Sequence, residues 1–127
     1  VCVFDADVAR DKPAERKKLE AMQKKYAGKE QVILCDSMPS IEFWFLIHYL
    51  NTNKYFASST DVIKVLRRFL PDFSKHETYL AKEKWVVDMI ANGKQDIAMD
   101  RAKGFGMTGE SYSNIYKAFE KFMELNS

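Results

Sequence analysis

The chain opens with the sequence VCVFDAD (residues 1–7), a short apolar run that stops abruptly at two acids. The pattern returns at QVILCD (residues 31–36), where a second apolar run again ends in an acid. Continuous apolar runs of this length are typical of parallel-sheet strands that are buried on both faces. Between them lies a lysine-rich stretch with apolar residues at helical spacing, which begins near Pro13 and closes at Gly28. Strand, helix and strand together predict a right-handed βαβ unit.

The remainder of the chain predicts helices. Residues 37–50 are apolar nearly all round, as expected of a buried helix. Further helices are predicted from residue 59 or 60 to Pro71, from Tyr79 to Asn92, over residues 94–103, and from Tyr112 onward, where aromatic and aliphatic residues follow the helical period closely. The expected fold class is therefore α/β and helix-rich, with a βαβ unit of parallel strands followed by an all-α bundle.

The composition is that of one ordinary folded domain. The chain has 127 residues, 46% of them hydrophobic, and a net charge of +2, which excludes wholesale disorder and gives no overall charge signal for nucleic acid. No apolar run reaches the roughly 18 residues of a membrane span, so no membrane association is expected. The two cysteines, Cys2 and Cys35, lie in apolar runs and are interpreted as reduced core thiols of a cytoplasmic protein.

The start of the chain suggests that the first strand lacks a neighbouring strand. Because the sequence begins at Val1 inside a strand-like run and without an initiator methionine, it is interpreted as a fragment of a longer protein. A strand with an open edge favours pairing with another chain. A homodimer that forms through residues 1–4 is therefore expected.

Asp5 and Asp7 form the sharpest local feature. Ligands of parallel α/β sheets bind beyond the carboxyl ends of the strands, and strand residues two apart point the same way. The two carboxylates could converge on a hard cation, Mg²⁺ or Mn²⁺, and Asp36 at the end of the next strand could add a third acid. The alternative is ordinary turn or helix-cap chemistry.

Glu42 and His48 are polar residues in the predicted buried helix. Glu42 lies in the first turn, where it can accept from free backbone N–H groups, and burial of its carboxylate requires a donor or a metal. His48 lies about 120° around the helix from Glu42, so the two side chains do not share a face. A capping role for Glu42 and a hydrogen-bonded core position for His48 are the alternatives to catalytic roles.

Lys64, Arg68 and Lys75 are candidates for nucleic-acid binding. Lys64 and Arg68 are four residues apart on the exposed face of one predicted helix, which suits contacts with phosphate groups. Lys75 follows in the next connection. The alternative is an ordinary solvated helix surface.

These motifs resemble those of the RloB-like family, bacterial proteins with a Toprim-type catalytic core that are linked to phage defence and restriction-associated operons. Residues 3–7 look like the family's strand followed by D-x-D, and S-x-P-S-x-E-x-W-x-L-x-H at residues 37–48 is similar to its long signature SNPSFExWxLxHF. F-x-K at residues 73–75 and the stretch 112–117 resemble later family segments. The sequence departs from the family at Met38, at Ile41 and over residues 109–111.

The resemblance implies a Mg²⁺-dependent or Mn²⁺-dependent nuclease that acts in antiphage defence with an ATPase partner protein. Asp5 and Asp7 would hold the metal, Asp36 and Glu42 would complete the rim, and His48 and Lys75 would support the site or contact phosphate.

The resemblance also implies a division of the chain. Residues 1–52 would be the C-terminal part of a Toprim-like α/β core, with residues 53–127 a helical subdomain packed on it to give one compact domain overall. Toprim domains carry a further Glu on an earlier strand, so this fragment alone is expected to be inactive. The alternative function is a non-catalytic interaction or regulatory module of a defence complex.

Overall fold

A three-stranded sheet forms the centre of the fold in the computed structural model, which describes residues 2–6, 13–26, 33–106 and 110–125. The strand order is β1–β2–β3. β1 (Cys2–Asp5) runs parallel to β2 (Leu34–Met38), and β3 (Tyr112–Ser113) pairs antiparallel with β2. α1 (Pro13–Tyr26) lies between β1 and β2 in the chain. The parallel strands and the intervening helix confirm the predicted βαβ unit.

The second strand extends further than predicted. The sequence placed its end before Asp36, whereas β2 continues through that residue to Met38; residues 31 and 32 lie outside the described residues. The short β3 pairs with this extension, with Ser37 opposite Ser113. Tyr112 and Ser113 were predicted to begin the last helix, so one contact between distant parts of the chain explains both differences.

Asp36 joins three elements through its side chain, which is 1% exposed. Its Oδ2 accepts hydrogen bonds from the Tyr112 hydroxyl at 2.8 Å and from the Gln23 amide of α1 at 3.1 Å. Its Oδ1 accepts from the Asn114 side-chain amide at 2.9 Å, and the Asn114 backbone N–H donates to the Asp36 carbonyl oxygen at 2.8 Å. Three side-chain donors therefore form hydrogen bonds with this buried carboxylate, whose charge would be costly to bury without partners.

β1 is less covered than a strand buried on both faces. Val3 is 53% exposed, and Cys2 is also exposed, so the prediction of a core thiol is wrong for Cys2. It is correct for Cys35, whose burial raises the pKa of its thiol. Within the described sheet β1 is an edge strand with β2 as its single neighbour.

Helices make up most of the remaining described chain, as predicted. They are α2 (Ile41–Leu46), α3 (Ser59–Leu66), α4 (Glu77–Leu80), α5 (Glu83–Ile90), α6 (Lys94–Phe105) and α7 (Tyr116–Leu125), with a 3-10 turn at Ala91–Gly93 before α6. Among the described helices, none combines the length and apolar character needed to cross a membrane.

Several helix boundaries differ from the predictions. The helix predicted to reach Pro71 ends at Leu66, and turns carry the chain onward. The single helix predicted over 79–92 is divided into α4 and α5, and Asn92 adopts a left-handed conformation with φ of 58° at the end of this region. These boundaries depend on local backbone geometry that apolar spacing does not encode.

One apolar core connects the sheet to the helices. It contains Cys35 of β2, Phe43 and Leu46 of α2, and Leu66 of α3, all with no measurable exposure. Side chains of α5, α6 and α7 complete it. Because α2 directly follows β2, this packing fixes the position of the α2 N-terminus relative to the ends of the strands.

Replacement of Asp36 by Asn tests the buried network. An Asn amide group must face at least one of the three donors, so we expect the free energy of unfolding to fall by about 1–3 kcal/mol. Urea unfolding would measure the loss, and near-UV circular dichroism would report the environment of Tyr112. Asp100→Asn, at an exposed position of α6, should change stability by no more than about 0.5 kcal/mol; equal effects of the two substitutions would contradict the assignment.

Candidate functional site

Asp5 links the end of β1 to the start of α2. It is exposed and is the last residue of the strand, and its Oδ1 accepts a hydrogen bond from the backbone N–H of Ile41 at 2.9 Å. Ile41 is the first residue of α2, whose early N–H groups have no partner within the helix. The contact brings Asp5 to the turn that carries the second sequence motif. Asp7 lies outside the described residues.

Glu42 is buried in the first turn of α2, with 4% of its surface exposed. Its Oε2 accepts from the Ser40 hydroxyl at 2.5 Å, and its Oε1 lies 3.2 Å from Nζ of Lys75. Ser40 is the N-cap residue, yet its side chain makes no capping hydrogen bond, and its hydroxyl donates to Glu42 instead. The requirement for a partner, stated from the sequence, is therefore met by a serine and a lysine.

Lys75 bridges two parts of the site. Besides Glu42, its Nζ donates to the Ser59 hydroxyl of α3 at 3.2 Å, while 52% of its side chain stays exposed. Phe73 anchors the segment by burial to 2% exposure, and the Phe73 carbonyl oxygen accepts from Nε of Arg67 at 3.0 Å. Lys75 is thus positioned from both sides, and one of its three N–H donors has no assigned acceptor among the described residues.

The structure does not bring Asp36 to the same place as Asp5. In the β1–β2 register Asp5 is opposite Ser37 and Phe4 is opposite Asp36, and alternate strand residues point to opposite faces. Asp36 therefore lies on the face of the sheet away from Asp5, where three donors already occupy its carboxylate. The expectation that both acids line one rim does not match this geometry.

His48 is buried, with 3% of its surface exposed. Its Nδ1 lies 2.8 Å from the Trp44 carbonyl oxygen, and the two rings meet edge to face with centroids 4.8 Å apart. A carbonyl oxygen accepts, so Nδ1 carries the proton, and Nε2 has no hydrogen-bond partner in the described part of the chain. Burial lowers the pKa of His48, with further lowering from the positive charges of Arg101 and Lys94. This environment fits a neutral core histidine.

Lys64 and Arg68 are exposed, Lys64 in the last turn of α3 and Arg68 just after it. Their positions suit both a phosphate-binding surface and an ordinary solvated one. Ser59, which the sequence indicated only as the start of a helix, accepts from Lys75, and the hydroxyl oxygens of Ser37 and Ser113 lie 2.8 Å apart. Isolated serines carry no spacing signal, so only the three-dimensional contacts identify them.

A cavity of about 270 Å³ lies elsewhere, beside α7 and the start of β2. Its lining consists of Ile33, Lys117, Glu120, Lys121 and Glu124. It contains none of the predicted site residues. The described residues also contain no group of three or more histidine, cysteine, aspartate or glutamate side chains arranged to hold a metal ion.

Comparison with known proteins identifies the family. The family model described as RloB-like protein matches residues 1–122, so the chain belongs to the RloB-like family. Neither the curated proteins nor the solved structures give a significant match.

Substitution of Lys75 should show how much the buried Glu42 destabilises the fold when it has no cationic partner. We expect Lys75→Ala to lower the free energy of unfolding by about 1–3 kcal/mol, because Glu42 keeps a buried charge without its cation. The exposed part of the ion pair contributes little of this, since solvent screens it. Chemical denaturation would measure the change, and Glu42→Gln in the Lys75→Ala background should recover part of it. Lys64→Ala, at an exposed helix position, serves as the control; a loss as large as that of Lys75→Ala would contradict the interpretation.

The buried His48 should make stability depend on pH. Because its pKa is lowered in the folded state, the unfolded chain binds more protons once the pH falls below about 6.5, the ordinary pKa of histidine. Unfolding free energy should therefore fall from pH 7.5 to 5.5, by no more than about 1.4 kcal/mol per pH unit from this group. His48→Gln should reduce this slope, whereas His76→Gln, at the exposed second histidine, should leave it nearly intact. Equal slopes in the wild-type and His48→Gln proteins would contradict the assignment.

Proposed function

We propose that this member of the RloB-like family is part of a Mg²⁺-dependent nuclease of the Toprim type that acts in bacterial antiphage defence. The observation that carries the proposal is the hydrogen bond from the Ile41 N–H to Asp5. It joins the carboxyl end of β1 to the turn that carries Glu42, and through Glu42 to Lys75. The ends of parallel strands are where α/β proteins bind their ligands.

Asp5 has the properties of a ligand for a hard cation. It is exposed, and the backbone N–H on Oδ1 fixes the orientation of its carboxylate in the way that outer hydrogen bonds orient metal ligands. We assign the cation to Asp5 together with Asp7, two residues further along the chain. Bound there, Mg²⁺ or Mn²⁺ would clamp phosphate oxygens and activate water for hydrolysis. The saturated Asp36 is assigned a supporting role between β2 and β3.

The positive side chains are assigned to substrate binding. Lys75 retains an N–H donor beyond those directed at Glu42 and Ser59, and that donor is available to a phosphate oxygen of the nucleic acid. Lys64 and Arg68 provide further charge on and just after α3, the helix that contributes Ser59. Contacts of this kind position a nucleic-acid backbone without reading its sequence.

Glu42 and His48 act as positioning residues in this proposal. Glu42 holds the Lys75 ammonium and is too buried to meet a substrate directly. His48 binds the Trp44 carbonyl oxygen and stabilises the end of α2. The defence role, the ATPase partner and the cytoplasmic location rest on the family resemblance.

An interaction module is the second candidate, favoured by one observation. On α7, Phe122 is 66% exposed and Leu125 is 73% exposed, although Phe122 is one of the apolar residues that follow the helical period. Exposed apolar side chains of this size are frequent at protein–protein contacts. In this alternative the sheet is a scaffold, and the D-x-D acids bind no metal.

Calorimetric titration with Mn²⁺ and Mg²⁺ separates the two functions. We expect the chain to bind the metal and the Asp5→Asn/Asp7→Asn double variant to lose at least tenfold in affinity, because both proposed ligands lose their charge. The control, Asp96→Asn/Asp100→Asn, removes the same charge from exposed positions of α6 and should bind as the wild type does. Unchanged binding in the first variant would contradict the assignment and favour the interaction module. Cleavage assays with labelled DNA and RNA would then identify the substrate.

A further inference from the structure

We propose that the exposed ring of Phe69 is a stacking platform for an unpaired nucleobase, so that the helical part of the chain binds single-stranded nucleic acid. The inference deepens the proposed function, because it names the class of nucleic acid, and it rests on that function. Stacking on Phe69 involves neither a metal ion nor Asp5, so it can be measured without them.

Phe69 and Tyr49 form a stacked pair at the surface. Their ring planes are 11° apart and their centroids are 5.3 Å apart. Phe69 is 39% exposed, and Tyr49 is half-buried. Because Tyr49 covers one face of the Phe69 ring, the exposed area lies mainly on its edge and its opposite face. A flat ring that is backed by a second ring and open on one side offers a base the surface that stacking requires.

Backbone hydrogen bonds to core residues hold both rings in place. The Phe69 N–H donates to the Leu66 carbonyl oxygen at 2.9 Å, and the Tyr49 N–H donates to the Leu46 carbonyl oxygen at 2.9 Å. Leu46 and Leu66 are the last residues of α2 and α3, and neither has measurable exposure. The two rings therefore follow directly from the ends of two packed helices. A platform fixed in this way loses little conformational freedom when it binds a ligand.

Lys94 places a positive charge over the stack. Its Nζ lies 4.9 Å from the centroid of the Tyr49 ring, a distance typical of a cation–π contact. The same Nζ donates to the Asp88 carbonyl oxygen at 3.3 Å. The ammonium group is thus held beside the aromatic pair by the start of α6 and the backbone of α5.

Two further cations lie on the segment that carries Phe69. Arg68 immediately precedes Phe69 in the turns that follow α3, and Lys64 lies four residues before Arg68; both side chains are exposed. Positive side chains attract the phosphates of nucleic acid. A nucleotide carries a flat ring and a phosphate only a few bonds apart, so it complements the exposed ring and the cations together.

Asp88 restricts where that phosphate can bind. Burial raises the pKa of Tyr49, and the negative charge of Asp88 raises it further, which places Asp88 near the Tyr49 hydroxyl. A phosphate is repelled from this edge of the stack because like charges repel at short range. The phosphate is therefore assigned to the side of Arg68, and the base to the open face of Phe69.

Stacking on a protein ring selects bases that are unpaired. Within a duplex, each base is stacked between its neighbours, so a protein must unstack a base before it can reach its face. Every base has a π-face, so stacking alone distinguishes one base from another only weakly. We expect the chain to prefer single strands to duplexes of equal length, with little dependence on base sequence.

Fluorescence anisotropy with labelled oligothymidylate tests the platform, in the presence of a chelator so that no cleavage interferes. We expect Phe69→Ala to weaken binding by at least about fivefold, because a stacked base loses its partner ring. Phe69→Trp should bind as tightly as the wild type. Arg68→Met should make the dependence on salt shallower, by about 0.7 in the slope of log K against log salt. Phe122→Ala, which removes an exposed phenyl ring from α7, is the matched control and should bind as the wild type does.

Phe69→Leu guards against a loss of fold in Phe69→Ala. Leucine retains an apolar side chain and lacks a flat ring, so a folded Phe69→Leu variant should also bind weakly. Binding as tight as that of the wild type would mean that Phe69 offers only an apolar contact, and would overturn the platform. An equal loss in Phe122→Ala, or equal binding of single strands and duplexes, would overturn it as well.

The outcomes also separate this inference from the function on which it rests. Failure of the wild type to bind oligothymidylate, together with metal binding that depends on Asp5, would overturn the platform and leave the proposed metal site standing. Binding that depends on Phe69, in a chain that binds no Mn²⁺, would support the platform and overturn the metal-dependent nuclease.

Discussion

The need to pair buried carboxylates shapes both faces of the sheet. Asp36 meets it with three neutral donors drawn from α1 and the β3 region, and Glu42 meets it with one hydroxyl and one ammonium group. Because Asp36 is buried and all its side-chain donors are neutral, this cluster stabilises the fold and presents no charge to solvent. The lysine at Glu42 reaches the surface, so the second solution leaves a fixed positive charge in contact with solvent. One physical requirement thus produces a structural network on one face and a candidate site on the other.

The position of that site depends on a small number of long-range contacts. β2 leads directly into α2, and the burial of Phe43 and Leu46 fixes the helix against the core. With the helix fixed, its first N–H groups face the end of β1, where Asp5 accepts one of them. Loss of core packing around α2 would therefore disturb the site without removing any of its polar residues.

Local pattern was sufficient to predict the βαβ unit and the helix-rich remainder. The apolar runs before Asp5 and Asp36 and the polar helix between them lie within one short segment, so their spacing carries the information. β3 was missed because it is only two residues long, and Tyr112 also fits the period of the helix that follows it. Its pairing depends on contacts with residues 76 positions away in the chain, which no local spacing encodes.

For the candidate site, too, the sequence indicated individual residues but not the long-range contacts between them. The sequence identified Asp5, Glu42 and Lys75 individually, and the requirement of Glu42 for a partner followed from its place in an apolar helix. The identity of that partner did not, since Lys75 is 33 residues from Glu42 in the sequence. Periodicity also failed at the end of α7, where Met123 continues the apolar stripe and yet is 53% exposed. A stripe predicts which way a side chain points, and only the neighbouring elements determine what covers it.

The carboxylates of Asp5, Glu42 and Asp36 differ in how accessible they are to a cation. Asp5 accepts a backbone N–H on one oxygen and remains exposed, so its hydrogen bond orients the carboxylate without enclosing it. Glu42 is enclosed but paired with a lysine that a substrate can reach, and Asp36 is enclosed and fully engaged. Under the proposed function, a cation at Asp36 or Glu42 would have to enter a buried, hydrogen-bonded network, whereas Asp5 lies at the surface.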